Sequence, residues 1–160
     1  MARQCRTCHG INGYAKIPVA PHIGGEPAGY ITRQLTAFRD GQRSHEMMSV
    51  VAAGLRDTDI ADLAAWYASV PVTANLPEAS VIADAPQKCT GCHGATGIAT
   101  VPDAPNLAGE SRVYLETQLK AFRAGKRRHP DMNRIAGELD DMDIRKAAEW
   151  YSRIEFVVQP

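Results

Sequence analysis

The pentapeptide Cys5-Arg6-Thr7-Cys8-His9 returns as Cys89-Thr90-Gly91-Cys92-His93. In the spacing C-x-x-C-H, two thiols three positions apart lie on nearly one face of a helical turn, and the next residue turns an imidazole toward whatever the thiols hold. This is the attachment signature of c-type haem, with two thioethers at the porphyrin edge and a histidine on the iron. Two copies imply two covalently bound haems c, attached through Cys5 and Cys8 and through Cys89 and Cys92, with His9 and His93 as iron ligands. No other cysteine exists in the chain, so none is left for a disulfide. A Cys-x-x-Cys pair also begins zinc sites and redox dithiols. A zinc knuckle needs further ligands nearby, which the sequence does not offer at zinc-finger spacing, and a dithiol does not require the histidine.

The motif is part of a longer repeat. Sliding the chain by 84 residues aligns Cys5–Val70 with Cys89–Ile154 without a gap, and 29 of the 66 pairs are identical, which marks an internal duplication. The expected organisation is a first domain over 1–70, an extended proline-bearing linker over 71–86 and a second domain over 87–160. Each half is short for an independent apolar core, and the chain has only three Phe and two Trp. A haem disc in each half supplies what the side chains lack.

The identical pairs fall where chemistry or backbone geometry is demanding. Pro21 and Pro105 follow the imidazoles in loops, where a proline carbonyl can accept the Nδ1 hydrogen of a ligating histidine and fix its tautomer; an ordinary loop proline is the plainer reading. Tyr30–Arg39 and Tyr114–Arg123 read as amphipathic helices whose Tyr30 and Tyr114, Leu35 and Leu119, Phe38 and Phe122 share a haem-facing core stripe. Gly41 and Gly125 stop them. Met48 and Met132 are the expected sixth ligands, since a thioether opposite histidine is usual in electron-carrying haems c. Met47 has no counterpart and reads as packing. His45 and His129, three residues earlier, are the rival ligands. A final helix in each half runs over Asp57–Ser69 and Asp141–Arg153, with acidic residues in its first turn.

Lys and Arg total 18 and Asp and Glu total 18, so no global nucleic-acid footprint exists. The runs Arg123–Arg128 and Glu138–Asp143 read as solvated surface, with docking of a redox partner as the alternative. No stretch approaches the roughly 20 apolar residues of a membrane span. Covalent haem attachment implies a periplasmic location, so an export signal is expected to be missing from the displayed chain.

Taken together, C-x-x-C-H-G, P-x-[IL]-x-G, Y-[IL]-x-x-Q-L-x-A-F-R-x-G-x-R, the Met four residues before an Ala, L-x-D-x-D-I and W-Y resemble the dihaem cytochromes c of the c4 type. These motifs stand at Cys5–Gly10, Pro21–Gly25, Tyr30–Arg43, Met48–Ala52, Leu55–Ile60 and Trp66-Tyr67, and again 84 residues on. The resemblance implies an all-α pair of class I cytochrome c domains related by an approximate twofold axis. It also implies His/Met ligation of both irons and single-electron transfer between redox protein partners, as a shuttle or as the cytochrome subunit of a dehydrogenase. Arg43 and Arg127 match an Arg of the family pattern and are expected to neutralise haem propionates, the plainer reading being solvated surface. Family members usually carry a turn or more of helix before the first cysteine. Here only Met1–Gln4 precede it, so that helix is expected to be curtailed or its place covered by a partner. The alternative is a dihaem enzyme, peroxidase-like or thiosulfate-oxidising, with one iron not ligated by Met; a zinc-bound interaction module is a third reading.

Overall fold

The repeat in the sequence is a repeat in space. In the computed structural model, which describes residues 4–78 and 80–159, the helices of the first half are α1 (Arg6–His9), α2 (Ala28–Arg39), α3 (Glu46–Ala53) and α4 (Asp57–Ala68). Those of the second are α5 (Gln87–His93), α6 (Arg112–Arg123), α7 (Pro130–Gly137) and α8 (Asp141–Ser152). The last three helices of each half have bounds that differ by 84 residues at both ends. Residues Met1–Arg3, the start of the curtailed helix expected before Cys5, lie outside the described residues; α5 begins directly after Pro86.

Local signals explain these elements. Asp140 and Asp143 cap α8 reciprocally, each carboxylate taking the other's backbone N–H at 2.7 and 3.3 Å. Arg39 at the end of α2 reaches the Leu55 carbonyl and the Asp57 carboxylate, the latter at 2.7 Å, and Arg123 reaches Leu139 and Asp141 in the same way. These clamps lock the end of the second helix of each half to the start of the fourth. The two charge runs lie at the surface as expected, Arg123 and Asp141, one from each run, pairing with each other there; of their charged residues only Arg127 is buried, which corrects the surface reading at that position.

Two cores follow. The first gathers Ile31, Leu63, Ala64 and Tyr67, with Cys5 and Leu35 against them. The second gathers Leu115, Ala148, Tyr151, Ile154 and Phe156, and takes in Val72, Ala74 and Leu76 from the connecting segment. Val72 and Ala74 belong to β1 (Val72–Asn75), which pairs antiparallel with β2 (Glu155–Val158), Val72 opposite Val158 and Asn75 opposite Glu155. The fold is all-α apart from this one ribbon among the described residues. None of their helices is long and apolar enough to cross a membrane.

Candidate haem centres

The first cysteine of each motif lies at or near the start of a helical turn and the histidine closes it: Cys5 caps α1, which ends at His9, and α5, which holds Cys89, ends at His93. Gly10 and Gly94 then turn the chain away at φ of 74° and 70°, and a Cβ on either would run into the carbonyl of Tyr14 or Ile98. Both imidazoles are buried. Nδ1 of His9 lies 2.8 Å from the Pro21 carbonyl, and Nδ1 of His93 lies 2.8 Å from that of Pro105. A carbonyl only accepts, so Nδ1 carries the proton and Nε2 is left with its lone pair, the state a metal ligand requires. Burial lowers both histidines' pKa, so neither holds a second proton that would block Nε2.

Met48 and Met132 are both half-buried, on α3 and α7. The rival histidines have a different visible role. His45 and His129 are the N-caps of these helices: His45 Nδ1 accepts from the N–H of Met47 and Met48 at 3.3 and 3.4 Å, and His129 Nδ1 from that of Met132 at 3.4 Å. Met47 is largely exposed.

Arg43 and Arg127 are not surface arginines. Arg127 is 8% exposed; its guanidinium donates to Gln118 at 2.9 Å and, across the domain boundary, to Tyr30 at 2.8 Å and Gln34 at 3.1 Å. Arg43 bonds Gln34 in its own half and Gln118 opposite, at 2.5 and 2.8 Å. Each guanidinium also lies over a phenylalanine of its own half, Phe38 at 4.4 Å and Phe122 at 4.5 Å. Burial lowers the Arg43 pKa; at Arg127 burial works the same way, but the Tyr30 and Tyr114 hydroxyls outweigh it and the net shift is upward. Neither arginine has a carboxylate ion-pair partner among the described residues. A cavity of about 360 Å³ opens beside them, lined by Gln34, Ala37, Gln42, Arg43, Arg127 and Arg128.

Across the same boundary runs a feature that the sequence reading missed. The Glu26 carboxylate accepts the N–H of Asn106 at 3.0 Å, and Glu110, its repeat partner, accepts that of His22 at 2.8 Å. His22 Nε2 and Asn106 Nδ2 donate back, to the carbonyls of Gly109 and Gly25 at 3.1 and 3.0 Å. Both carboxyls are 3% exposed. Burial pushes Glu26 up to about 8, against the pull of the Asn106 N–H and Arg127, and holds Glu110 well above the ordinary carboxyl range, with Glu26 adding to the effect. The available signal was an acid repeated at positions 26 and 110 immediately after a repeated glycine.

The donor set fits haem c and not its rivals. Burial raises the Cys5 thiol and pushes Cys89 up to about 11, the opposite of an activated dithiol. Among the described residues no three of His, Cys, Asp and Glu converge as a zinc site requires. The two buried imidazoles with a free Nε2 and the interdomain guanidiniums without carboxylate partners match an iron and its propionates.

The comparisons agree with this chemistry. The chain is 30% identical over 160 residues to cytochrome c4 of Pseudomonas aeruginosa, an alignment covering 89% of this chain and 80% of that one. The chain belongs to the cytochrome c4 family. No family model matches it. It is also 31% identical over 172 residues to a thiosulfate dehydrogenase electron acceptor of Stutzerimonas stutzeri, covering 96% of this chain and 80% of the relative. The solved cytochrome c4 of Acidithiobacillus ferrooxidans superposes with a TM-score of 0.78 at 25% identity, covering 96% of this chain and 99% of that structure. As a cytochrome c4, the chain is an electron-transfer protein carrying haem c, not an enzyme in its own right.

Proposed function

We propose that this cytochrome holds two haems c, one in a domain over 1–70 and one in a domain over 87–160, joined through 71–86. In this reading Cys5 and Cys8, and Cys89 and Cys92, attach the porphyrins. His9 and Met48 ligate one iron, His93 and Met132 the other. Arg43 and Arg127 face the propionates, with Tyr30 and Tyr114 beside them. The carrying observation is that each His–Pro hydrogen bond recurs at the same 2.8 Å in the two halves. The His45 and His129 caps favour methionine over histidine as sixth ligand, because an Nδ1 that accepts a backbone N–H leaves the ring proton on Nε2, the reverse of His9 and His93, and no lone pair there for iron.

When bound, the haem supplies a one-electron couple. The residues of the chain set its working conditions: Pro21 and Pro105 orient the imidazoles, the methionine thioether favours the reduced iron, and the guanidiniums offset propionate charge near the domain boundary. We place the protein in the periplasm, taking electrons from one redox protein and passing them to another, with membrane association only through a partner. The relative that serves as a thiosulfate dehydrogenase electron acceptor favours a dehydrogenase as the donor.

The test is the haem count per chain by pyridine haemochrome, combined with the weak far-red ferric band of Met-ligated haem. Two haems and a full-strength band per haem are expected. Half strength overturns the symmetric ligand assignment, and one haem per chain overturns the dihaem reading. Rapid-mixing reduction by a purified thiosulfate dehydrogenase then tests the donor, and its failure redirects the search to other dehydrogenases.

A further inference from the structure

The interdomain carboxyls carry more than a structural role. Two acids, each nearly excluded from solvent, reach across the boundary in opposite directions and each accepts a backbone N–H of the other half. Glu110 Oε2 is buried with no hydrogen-bond partner among the described residues. An ionised oxygen in that position has nothing to replace lost water, and a second carboxylate close by adds repulsion. The groups facing the pair give little relief. Arg127, from the loop before α7, is the one cation that acts on Glu26, and Tyr30 of α2 lies within its field. Arg43 and Tyr114 act on the same Arg127–Tyr30 cluster from their own elements. His22 is neutral in this arrangement: its Nδ1 accepts from the Ala15 N–H at 2.9 Å, so its single proton is on Nε2, directed at Gly109.

We propose that Glu26 and Glu110 form a proton-binding site coupled to electron transfer, taking a proton from solvent as an electron arrives at the nearby haem and releasing it as the electron leaves. The inference rests on the two-haem reading above. In the balanced step a redox partner supplies one electron and iron passes from ferric to ferrous. Solvent hydronium gives up a proton, and one O–H bond forms on a glutamate oxygen. No other bond changes. Charge explains the coupling: the added electron makes the boundary more negative, which raises the proton affinity of buried carboxylates compensated only by one backbone N–H each and, at Glu26, by Arg127, a cation it shares with the propionates in the two-haem reading. Burial pushes Glu26 up to about 8, which places its exchange near neutral to mildly alkaline pH, and holds Glu110 well above the ordinary carboxyl range.

The experiment uses the haem-loaded protein. Protons taken up on full reduction in unbuffered solution are counted with an indicator dye, and the midpoint potentials are measured across neutral and alkaline pH. Wild type is expected to take up protons, with potentials that fall as pH rises. Glu26→Gln with Glu110→Gln is expected to leave haem content and the far-red band unchanged and to cut the uptake to less than roughly half, flattening the potential profile. Uptake equal to wild type in the double variant overturns the proposal and assigns the protons to the propionates. Absence of uptake in wild type overturns it as well. The amide oxygen that Glu26→Gln introduces can still accept the Asn106 N–H, so this single variant serves if the double variant does not fold; an unchanged profile there is equally fatal. The haem count keeps the premise separate: one haem per chain defeats the dihaem reading, and proton uptake at that one haem is then judged by the same variants.

Discussion

In the first half the residue after the imidazole-binding proline is His22, its ring tilted against Tyr14 at 4.4 Å and stacked at 5.0 Å on Phe156 from the far end of the chain. In the second half the same position is Asn106, which makes the same three hydrogen bonds without an aromatic ring. A similar split recurs in the two cores: Tyr151 donates to the Gly94 carbonyl, while the hydroxyl of its counterpart Tyr67 is buried with no oxygen or nitrogen partner among the described residues and faces the Cys5 sulfur. The second core also takes in both strands of the ribbon, although β1 follows α4 as β2 follows α8, and Val72 and Phe156 sit beside Gly25 and Gly109 at matching positions of the repeat. Positions that hold the imidazole, cap the methionine helix or bridge the halves have kept their chemistry since the duplication. Space-filling positions behave differently from one another: Ile60 and Ile144 are identical and fully buried, whereas the ring at His22 has no counterpart at Asn106, and the first half now leans on the second through Phe156.

The largest effect that tests this asymmetry is expected at the arginines. Arg127→Ala removes three side-chain hydrogen bonds from a charged donor and the contact with Phe122, so it should cost about 2–4 kcal/mol, because the Tyr30, Gln34 and Gln118 oxygens lose a charged partner in a buried place. Arg43→Ala, with two side-chain partners, should cost about half as much. Denaturant titration of the haem-loaded variants measures both. Equal losses would mean that the boundary is symmetric in energy as well as in sequence.

The glutamate pair should make stability depend on pH. The folded Glu26 carboxyl is pushed up to about 8 from an ordinary 4.5, so between those values the folded state binds more protons than the unfolded one. Its contribution is therefore complete below about 4.5 and is lost as pH rises through about 8, at a slope of at most about 1.4 kcal/mol per pH unit. The melting temperature of wild type should accordingly fall across this range more steeply than that of Glu26→Gln, which has no proton to lose at this position. Parallel curves would show that Glu26 is ionised throughout.

The His22 position probes the packing difference alone. His22→Asn keeps an acceptor for the Ala15 N–H and a donor for Gly109, as Asn106 does for its own partners, and loses the ring contacts with Tyr14 and Phe156. The expected cost is about 1 kcal/mol. A neutral result in a thermal melt would mean that the rings contribute no more than shape.

Much of this organisation can be read from 84-residue self-similarity. Identical pairs such as Leu55 with Leu139 and Trp66 with Trp150 carry the helices of one half onto those of the other. The β1–β2 ribbon could not be read this way, because Val72–Asn75 alternates over only four residues and its partner strand lies about 80 residues on. The helix caps were hidden because imidazole is not among the usual N-cap side chains. Glu26 and Glu110 looked like loop acids, since their burial is created by docking of the halves and leaves no trace in local periodicity. Arg127 was legible as a repeated arginine of the family pattern, but its burial, created by the same docking, could not be read from the basic run around it.

The finest contrast lies in one pair of hydroxyls. Tyr151→Phe deletes a buried hydrogen bond of 3.1 Å to the Gly94 carbonyl, which keeps only the Gly97 N–H at 3.3 Å, so about 1 kcal/mol of stability should be lost. Tyr67→Phe removes a buried hydroxyl with no oxygen or nitrogen to bond among the described residues, and the apolar ring should be neutral or slightly stabilising. Thermal melts of the two variants side by side measure the difference directly. If Tyr67→Phe costs as much as Tyr151→Phe, the first hydroxyl has found a partner once haem is attached. The divergence in the two cores would then be one of spacing, with the hydrogen-bonding chemistry kept.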